Sequence, residues 1–232
     1  MLEVRDIRFS YGNHTVLDGV TFTIDDGEVV GLLGRNGAGK TTLLQILATC
    51  QMPDGGSIAF DGINPLATPL RYCHRLGYLP ERNEAYGEMS VKERLLFRAR
   101  LKGERGLRIR RRVTDLMKTC GLEELARRRI ETLSPGCRKC VGLADALLRR
   151  PPLLLLDDLF AGVDAARAEQ IISIFKSPAT RCAALVSGHD VRNLARICSR
   201  FLVLKDGVLA HDVAVNRACP EKSIIQIETL LK

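Results

Sequence analysis

Eight consecutive residues, Gly34 to Thr41, combine the residue types that bind phosphate groups. Their glycines let the main chain wrap closely around an anion with its N–H groups turned inward. Lys40 adds a side-chain cation, and the Thr41 hydroxyl is a ligand that Mg²⁺ accepts. Residues 28–33 predict a buried strand before the loop, and residues 42–47 predict a helix after it, whose N-terminus is electropositive. This order of strand, loop and helix predicts a site for the phosphates of a nucleotide.

Two adjacent carboxylates follow a second apolar stretch. Leu153–Leu156 predicts a strand buried on both faces, as in a parallel sheet, and Asp157 and Asp158 follow it directly. Ligands of open parallel sheets bind at the carboxyl ends of the strands. Asp157 would then hold Mg²⁺ through water, and Asp158 would act on an attacking water molecule. Alone, the pattern is equally typical of a strand that ends in surface carboxylates; the phosphate-binding loop favours the site.

Composition excludes several classes of protein. The 232 residues are 46% hydrophobic and 27% charged, and no apolar run approaches the roughly 18 residues of a membrane span. No basic segment with an apolar block opens the chain, so we expect a cytoplasmic protein. The net charge of +8 lies largely in residues 105–112 and 127–129, without interleaved aromatic side chains, and we expect no nucleic acid partner. The eight scattered cysteines predict reduced thiols, because the pair in residues 137–140 lacks the second pair of a zinc site.

The order of predicted elements indicates an α/β fold in a single domain, residues 1–232. The first 26 residues alternate as antiparallel strands do, and apolar strands then alternate with helices. Between them, roughly residues 83–150 read as helices, beginning with a capping box at Ser90 and Glu93. We expect a P-loop NTPase core with a mostly parallel sheet, an N-terminal antiparallel β part and an inserted helical lobe.

The motifs together resemble those of the ATPase subunit of ATP-binding cassette (ABC) transporters. Leu133–Cys137, just before a predicted helix, resembles the family's signature Leu-Ser-Gly-Gly-Gln. The other matches follow the family's order over nearly the whole chain: Tyr11 for the aromatic residue that stacks on adenine, Gly34–Thr42 for Walker A, Tyr78–Glu81 for the Q-loop, Leu153–Asp158 for Walker B, Gly162–Asp164 for the D-loop and Ser187–His189 for the switch histidine. Residues 77–97, and the chain from 120 onward, look most like the exporter branch with gliding-motility, sodium-efflux and multidrug-type ATPases.

The resemblance implies ATP and Mg²⁺ as cofactors and a role for each matching residue. Asp158, His189 and Glu81 would be catalytic, and Thr41, Glu81 and Asp157 would ligate the metal. The nucleotide contacts would come from Tyr11, Gly34, Asn36, Gly37, Ala38, Gly39, Lys40, Thr41, Thr42, Ser134 and Gly136. For Tyr11, a plain half-buried tyrosine at a strand end remains a competing interpretation.

The resemblance also implies partners. Two ATPases of the family meet head to tail, so that each ATP lies between Walker A of one and the signature of the other. Ser134 and Gly136, at a helix N-terminus, suit a γ-phosphate arriving from an identical or related ATPase. An integral membrane permease subunit would be driven, which places the chain at the cytoplasmic face of the membrane. The alternative is a soluble ABC-type ATPase that acts as a regulatory or assembly factor without a pore.

Several residues depart from the family pattern: Arg35 in Walker A, Glu81 in the Q-loop, Pro135 and Cys137 in the signature, and Asp158 with Leu159 where Glu and Pro are usual. Asp158 matters most, because its side chain is one methylene shorter than Glu. On an unchanged main chain its carboxylate would lie roughly 1.5 Å further back, a displacement of the size that can cost 10²-fold in rate. The sequence therefore predicts slow hydrolysis, unimpaired nucleotide binding and faster turnover in Asp158→Glu.

Overall fold

The computed structural model describes residues 1–82, 86–104, 106–177, 181–216 and 219–231. The predicted start of the helical lobe, at residue 83, lies outside the described residues. Within these ranges the chain forms two sheets with helices packed against them. None of the helices in the described ranges has the length and apolar character that crossing a bilayer requires.

The alternating N-terminal residues form an antiparallel sheet of three strands. Its strands are β1 (Leu2–Tyr11), β2 (His14–Ile24) and β4 (Gly55–Phe60), in the order β2-β1-β4. Leu2 pairs with Ile24 on one side and with Phe60 on the other, and all three side chains are buried. This sheet brings Tyr11, the last residue of β1, beside the phosphate-binding loop.

The second sheet has six strands and is mostly parallel, as predicted. Its strands are β3 (Val29–Leu33), β5 (Leu76–Leu79), β6 (Leu153–Leu156), β7 (Ala183–Ser187), β8 (Arg200–Lys205) and β9 (Val208–Ala214). The order is β5-β6-β7-β3-β8-β9, and each neighbouring pair is parallel except β8 and β9. The carboxyl ends of the parallel strands therefore meet at one edge, where ligands of such sheets bind.

The described helices include the six that the sequence predicts, in the predicted order, and two that it does not. They are α1 (Lys40–Leu47), α2 (Pro69–Cys73), α3 (Val91–Leu101), α4 (Leu107–Thr119), α5 (Pro135–Ala146), α6 (Ala165–Lys176), α7 (Val191–Ala195) and α8 (Pro220–Leu230), with a 3-10 turn at Ile130–Thr132. The two helices that the sequence does not predict are α2 and α8. The predicted capping box at Ser90 and Glu93 is present. Helix α7 ends at Ala195, and the chain then turns into β8, where the main-chain N–H of Ser199 donates to the Val29 carbonyl at 2.8 Å.

Two hydrophobic clusters lie on opposite faces of the larger sheet, because successive side chains of a strand point to opposite faces. In β6, Leu153 and Leu155 face the cluster that holds α1, whereas Leu154 and Leu156 face the cluster that holds α3 to α7. All four leucines are 0% exposed, so β6 is buried on both faces, as predicted.

Candidate functional site

The phosphate-binding loop lies between β3 and α1. Gly39, the residue before α1, has a φ of +100°, which L side chains rarely adopt, and a Cβ there would lie 2.9 Å from the Val16 carbonyl oxygen. Lys40 Nζ donates to the carbonyl oxygens of Gly34 at 2.8 Å and Arg35 at 3.0 Å. The ammonium is thus folded over the loop that carries it. Burial lowers the pKa of Lys40, and the carboxylate of Asp158 opposes this shift.

A cleft of about 340 Å³ opens in front of this loop and gathers most of the predicted site residues. Its lining comprises Tyr11, Val16, Asn36, Gly37, Gly39, Lys40, Thr41, Thr42, Glu81, Asp157, Asp158, Ser187 and His189. Gly34 and Ala38 lie in the same loop but line a groove on its other side. The cleft therefore combines a cation, an electropositive helix terminus and a pair of carboxylates.

The carboxylate of Asp157 is 1% exposed and is oriented by Ser187. Its Oδ1 accepts a hydrogen bond from Ser187 Oγ at 2.5 Å, while Oδ2 has no hydrogen-bond partner among the described residues. An unsatisfied buried carboxylate oxygen costs about 1–3 kcal/mol or more, which a cation or a water molecule would relieve. Together with the Thr41 hydroxyl, this donor set fits Mg²⁺. From the sequence, Ser187 enters only as part of the match to the switch histidine, without a role of its own; its place at the end of the strand beside β6 was the available signal.

Asp158 has a main-chain conformation that its residue type helps to explain. Its φ is +50°, in the left-handed region, where Asp and Asn are the non-glycine residues found most readily. The Asp158 N–H donates to Ser187 Oγ at 2.8 Å, so one serine contacts both acidic residues. Asp158 thus occupies a left-handed conformation that its residue type tolerates and that this hydrogen bond stabilises.

Tyr11, Glu81 and His189 line the rim of the cleft. Tyr11 is 51% exposed, donates to Gln51 Oε1 at 3.1 Å and packs its ring edge-on against Phe9, with centroids 4.8 Å apart. Glu81 and His189 are exposed and follow the ends of β5 and β7. The fold thus brings the three predicted residues to one site, and their individual roles stay predictions.

Ser134 and Gly136 do not line this cleft. Ser134 is the exposed N-cap of α5, and its Oγ accepts the Cys137 N–H at 3.3 Å. Gly136 is buried, and a Cβ there would lie 3.1 Å from the Gly162 carbonyl oxygen and 3.3 Å from Val163 Cα. A glycine at this position is therefore also explained by close packing of α5 against the loop 162–164 of the same chain.

The sequence comparisons agree with this arrangement. Residues 17–161, more than half of the chain, match the family described as "ABC transporter". The chain belongs to the ABC transporter family. As a member it is an ATP-binding protein and an ATPase.

Three curated relatives are similar over most of the chain. An uncharacterized ABC transporter ATP-binding protein, YxlF of Bacillus subtilis, is 32% identical over 90% of this chain and 70% of its own length. The sulfate/thiosulfate import ATP-binding protein CysA of Bradyrhizobium diazoefficiens is 33% identical over 89% of this chain and 61% of its own. The Nod factor export ATP-binding protein I of Paraburkholderia xenovorans is 33% identical over 89% of this chain and 68% of its own length.

Among solved structures, the fold is similar to one described as an ATP binding subunit of an ABC transporter. The two chains align with a TM-score of 0.86 and 26% identity, covering 100% of this chain and 99% of the other. The P-loop α/β fold with its antiparallel N-terminal sheet is therefore that of an ABC ATPase.

Proposed function

We propose that this ABC ATPase binds ATP with Mg²⁺ in the cleft and powers a separate integral membrane permease at the cytoplasmic face of the membrane. The observation that carries the proposal is the convergence of Lys40, Asp157 and Asp158 on one cleft beside the N-terminus of α1. A cation and a helix terminus suit the phosphates, and carboxylates suit a metal ion and an attacking water molecule.

We assign the metal to Thr41 and Asp157, with Glu81 as a third ligand. Mg²⁺ would neutralise charge on the phosphates as hydrolysis proceeds. The described residues contain no group of three or more His, Cys, Asp or Glu side chains arranged to hold a metal ion. We therefore expect the ion to arrive with the nucleotide and to share its ligands with the phosphates, as Mg²⁺ commonly does.

In hydrolysis, Asp158 would accept a proton from the water that attacks the terminal phosphate, and His189 would contact that phosphate. Lys40 would leave the carbonyl oxygens of Gly34 and Arg35 for the β- and γ-phosphates. The products are ADP and inorganic phosphate. Tyr11 would stack on the adenine, because its ring is half exposed at the rim.

The composite site with a second ATPase remains part of the proposal. Ser134 is exposed and lies outside the cleft of its own chain, so a phosphate contact by this hydroxyl requires nucleotide held elsewhere. The N-terminus of α5 supplies the electropositive end for such a contact. We propose a head-to-tail dimer formed on ATP.

Export is the direction that we propose. One relative described above is named for export and another for import, so their names leave the direction open. The support comes from the resemblance of residues 77–97, and of the chain from 120 onward, to the exporter branch.

The test is to purify the ATPase from detergent-solubilised native membranes together with what it binds. We expect an integral membrane protein in the complex and an ATPase rate per site several-fold above that of the isolated chain, with both the stimulated and basal rates lost in Lys40→Ala. The direction is tested by reconstituting the complex into proteoliposomes with the ATPase on the outer surface. Because that surface then corresponds to the cytoplasm, export would carry the solute that stimulates hydrolysis into the lumen. Recovery in the soluble fraction only, with soluble partners, would instead support an assembly or regulatory factor.

A further inference from the structure

Lys139 is a buried lysine that none of the motifs includes. It lies on α5, five residues after Ser134, and is 8% exposed. Its Nζ donates to the carbonyl oxygen of Glu81 at 3.3 Å and to that of Asp157 at 3.2 Å. One ammonium thus joins α5 to the segments that follow β5 and β6.

The surroundings of Lys139 are those of the nucleotide site. A cavity of about 210 Å³ lined by Lys139, Arg138 and Pro135 shares Glu81 and Asp158 with the nucleotide cleft. Burial lowers the pKa of Lys139, and the nearby carboxylates of Asp158, Asp157 and Glu81 oppose this shift. Burying a lysine costs free energy unless its charge is compensated, and here the compensation comes from residues of the site.

A partly buried lysine elsewhere in the chain provides a contrast. Lys102, just after α3, donates to the carbonyl oxygen of Asp145 at 2.6 Å and pairs with its Oδ1 at 2.9 Å. Its contacts lie within the helical lobe, and Arg98 also binds Asp145, at 2.7 Å. Lys102 therefore serves the packing of α3 against α5, whereas Lys139 contacts the main chain of two residues that carry the carboxylates of the site.

We propose that Lys139 is a positioning residue for ATP hydrolysis. By holding the carbonyl oxygens of Glu81 and Asp157, it fixes the ends of β5 and β6 to α5 and so sets where the carboxylates of Glu81, Asp157 and Asp158 stand. The proposal concerns the hydrolytic step, because a displacement of about 1 Å in a reacting group can cost 10²-fold in rate. The loop around Lys40 lies between β3 and α1 and does not depend on these contacts.

The first test is steady-state ATP hydrolysis with a titration of the Kd for ATP. Lys139→Met keeps an unbranched side chain that is one atom shorter and removes the hydrogen-bond donors. We expect kcat to fall 10- to 100-fold while the Kd for ATP changes less than two-fold. Lys139→Gln, which restores an N–H donor without the charge, should recover part of the lost rate. Lys102→Met removes a partly buried lysine of the same helical region and should leave kcat within two-fold.

The second test needs no activity, so it stands apart from the proposal of a permease partner. Hydrogen exchange of the nucleotide-free protein should become faster in peptides covering 79–82 and 157–161 in Lys139→Met, and stay unchanged there in Lys102→Met. Unchanged exchange in both segments would overturn the proposal. The proposal would also be overturned if Lys102→Met lowered kcat as much as Lys139→Met does. A loss of ATP affinity in Lys139→Met that parallels its loss of kcat would overturn it too, since either result would indicate a general structural role.

Discussion

Ser187 donates its hydroxyl hydrogen to Oδ1 of Asp157 and accepts the main-chain N–H of Asp158 with the same oxygen. This leaves Oδ2 of Asp157 as the carboxylate oxygen with no partner among the described residues. We expect Ser187→Ala to lower the ATPase rate about 10-fold, because the carboxylate of Asp157 and the main chain of Asp158 lose this hydrogen-bond partner, and Ser187→Thr to retain most of it. ATP binding without Mg²⁺ should not change. A Ser187→Ala rate within two-fold of the parent would contradict the orienting role.

Lys40→Ala should abolish tight binding of Mg-ATP. Lys40 is the cation of the phosphate-binding loop that lines the cleft, whereas Arg35 lines the groove on the other side, and the loss should reach about 100-fold in Kd, or about 2.7 kcal/mol. Titration with a fluorescent ATP analogue measures it. Lys205→Ala is the matched control, because Lys205 is an exposed cation beside the other side of the same loop. If Lys40→Ala bound Mg-ATP as tightly as the parent protein, the assignment of residues 34–41 as the phosphate-binding loop would be wrong.

Ser134→Arg should block the ATP-dependent dimer while the single chain still binds nucleotide. The bulky cation would occupy the position proposed for the second ATPase's γ-phosphate, and the lost N-cap costs about 1 kcal/mol of stability. Ser90→Arg removes the N-cap of α3 in the same way and controls for that cost. Light scattering with a non-hydrolysable ATP analogue decides the matter, and a stable dimer of the Ser134→Arg variant argues against a composite site.

We predict slow basal hydrolysis and a faster rate in Asp158→Glu, since the added methylene carries the carboxylate toward the attacking water molecule. The left-handed φ of Asp158 adds a second expectation: the variant should be less stable by about 1 kcal/mol, because Glu adopts this conformation less readily than Asp. ATPase assays and thermal unfolding measure the two effects. Brisk turnover in the parent, with a neutral or slower variant, would mean that this main-chain conformation already places the shorter carboxylate correctly.

We expect the membrane partner to dock on the helical lobe and on residues 82–89, of which 83–85 lie outside the described residues. This segment follows Glu81 directly, so closure around a phosphate can be transmitted through it. A photo-crosslinker at Tyr86, 43% exposed, should capture the permease in the purified complex, whereas one at Val208 on the C-terminal hairpin, 42% exposed, should not. Crosslinks from position 208 alone would place the docking surface elsewhere.

The sequence predicts those parts of the site that a local pattern encodes. The spacing of the glycines before Lys40 indicates a phosphate-binding loop by itself, because it depends on a few neighbouring residues. The acidic end of β6 is ambiguous alone and becomes a predicted site only because this loop precedes it in the chain. The hydrogen bonds of Ser187 and Lys139 join residues far apart in the chain, and no local pattern carries them. Helix α8 was missed although Pro220 at its start and Ile224 and Ile227 at helical spacing were visible signals.

The two walls of the nucleotide cleft pack against different hydrophobic clusters. Helix α1, which follows the phosphate-binding loop, rests on the hydrophobic cluster that contains Leu43 and Leu47, on one face of the sheet. Leu159, which follows the acidic pair, and Val191, which follows His189, belong to the cluster on the other face. A remote substitution that loosens one cluster need not reach the other, because the sheet stands between them. Mutations in the core can therefore change the affinity for nucleotide and the rate of hydrolysis independently of each other. Among variants of the two clusters, we expect some that bind nucleotide tightly but hydrolyse it slowly, and others that hydrolyse it fast but bind it weakly.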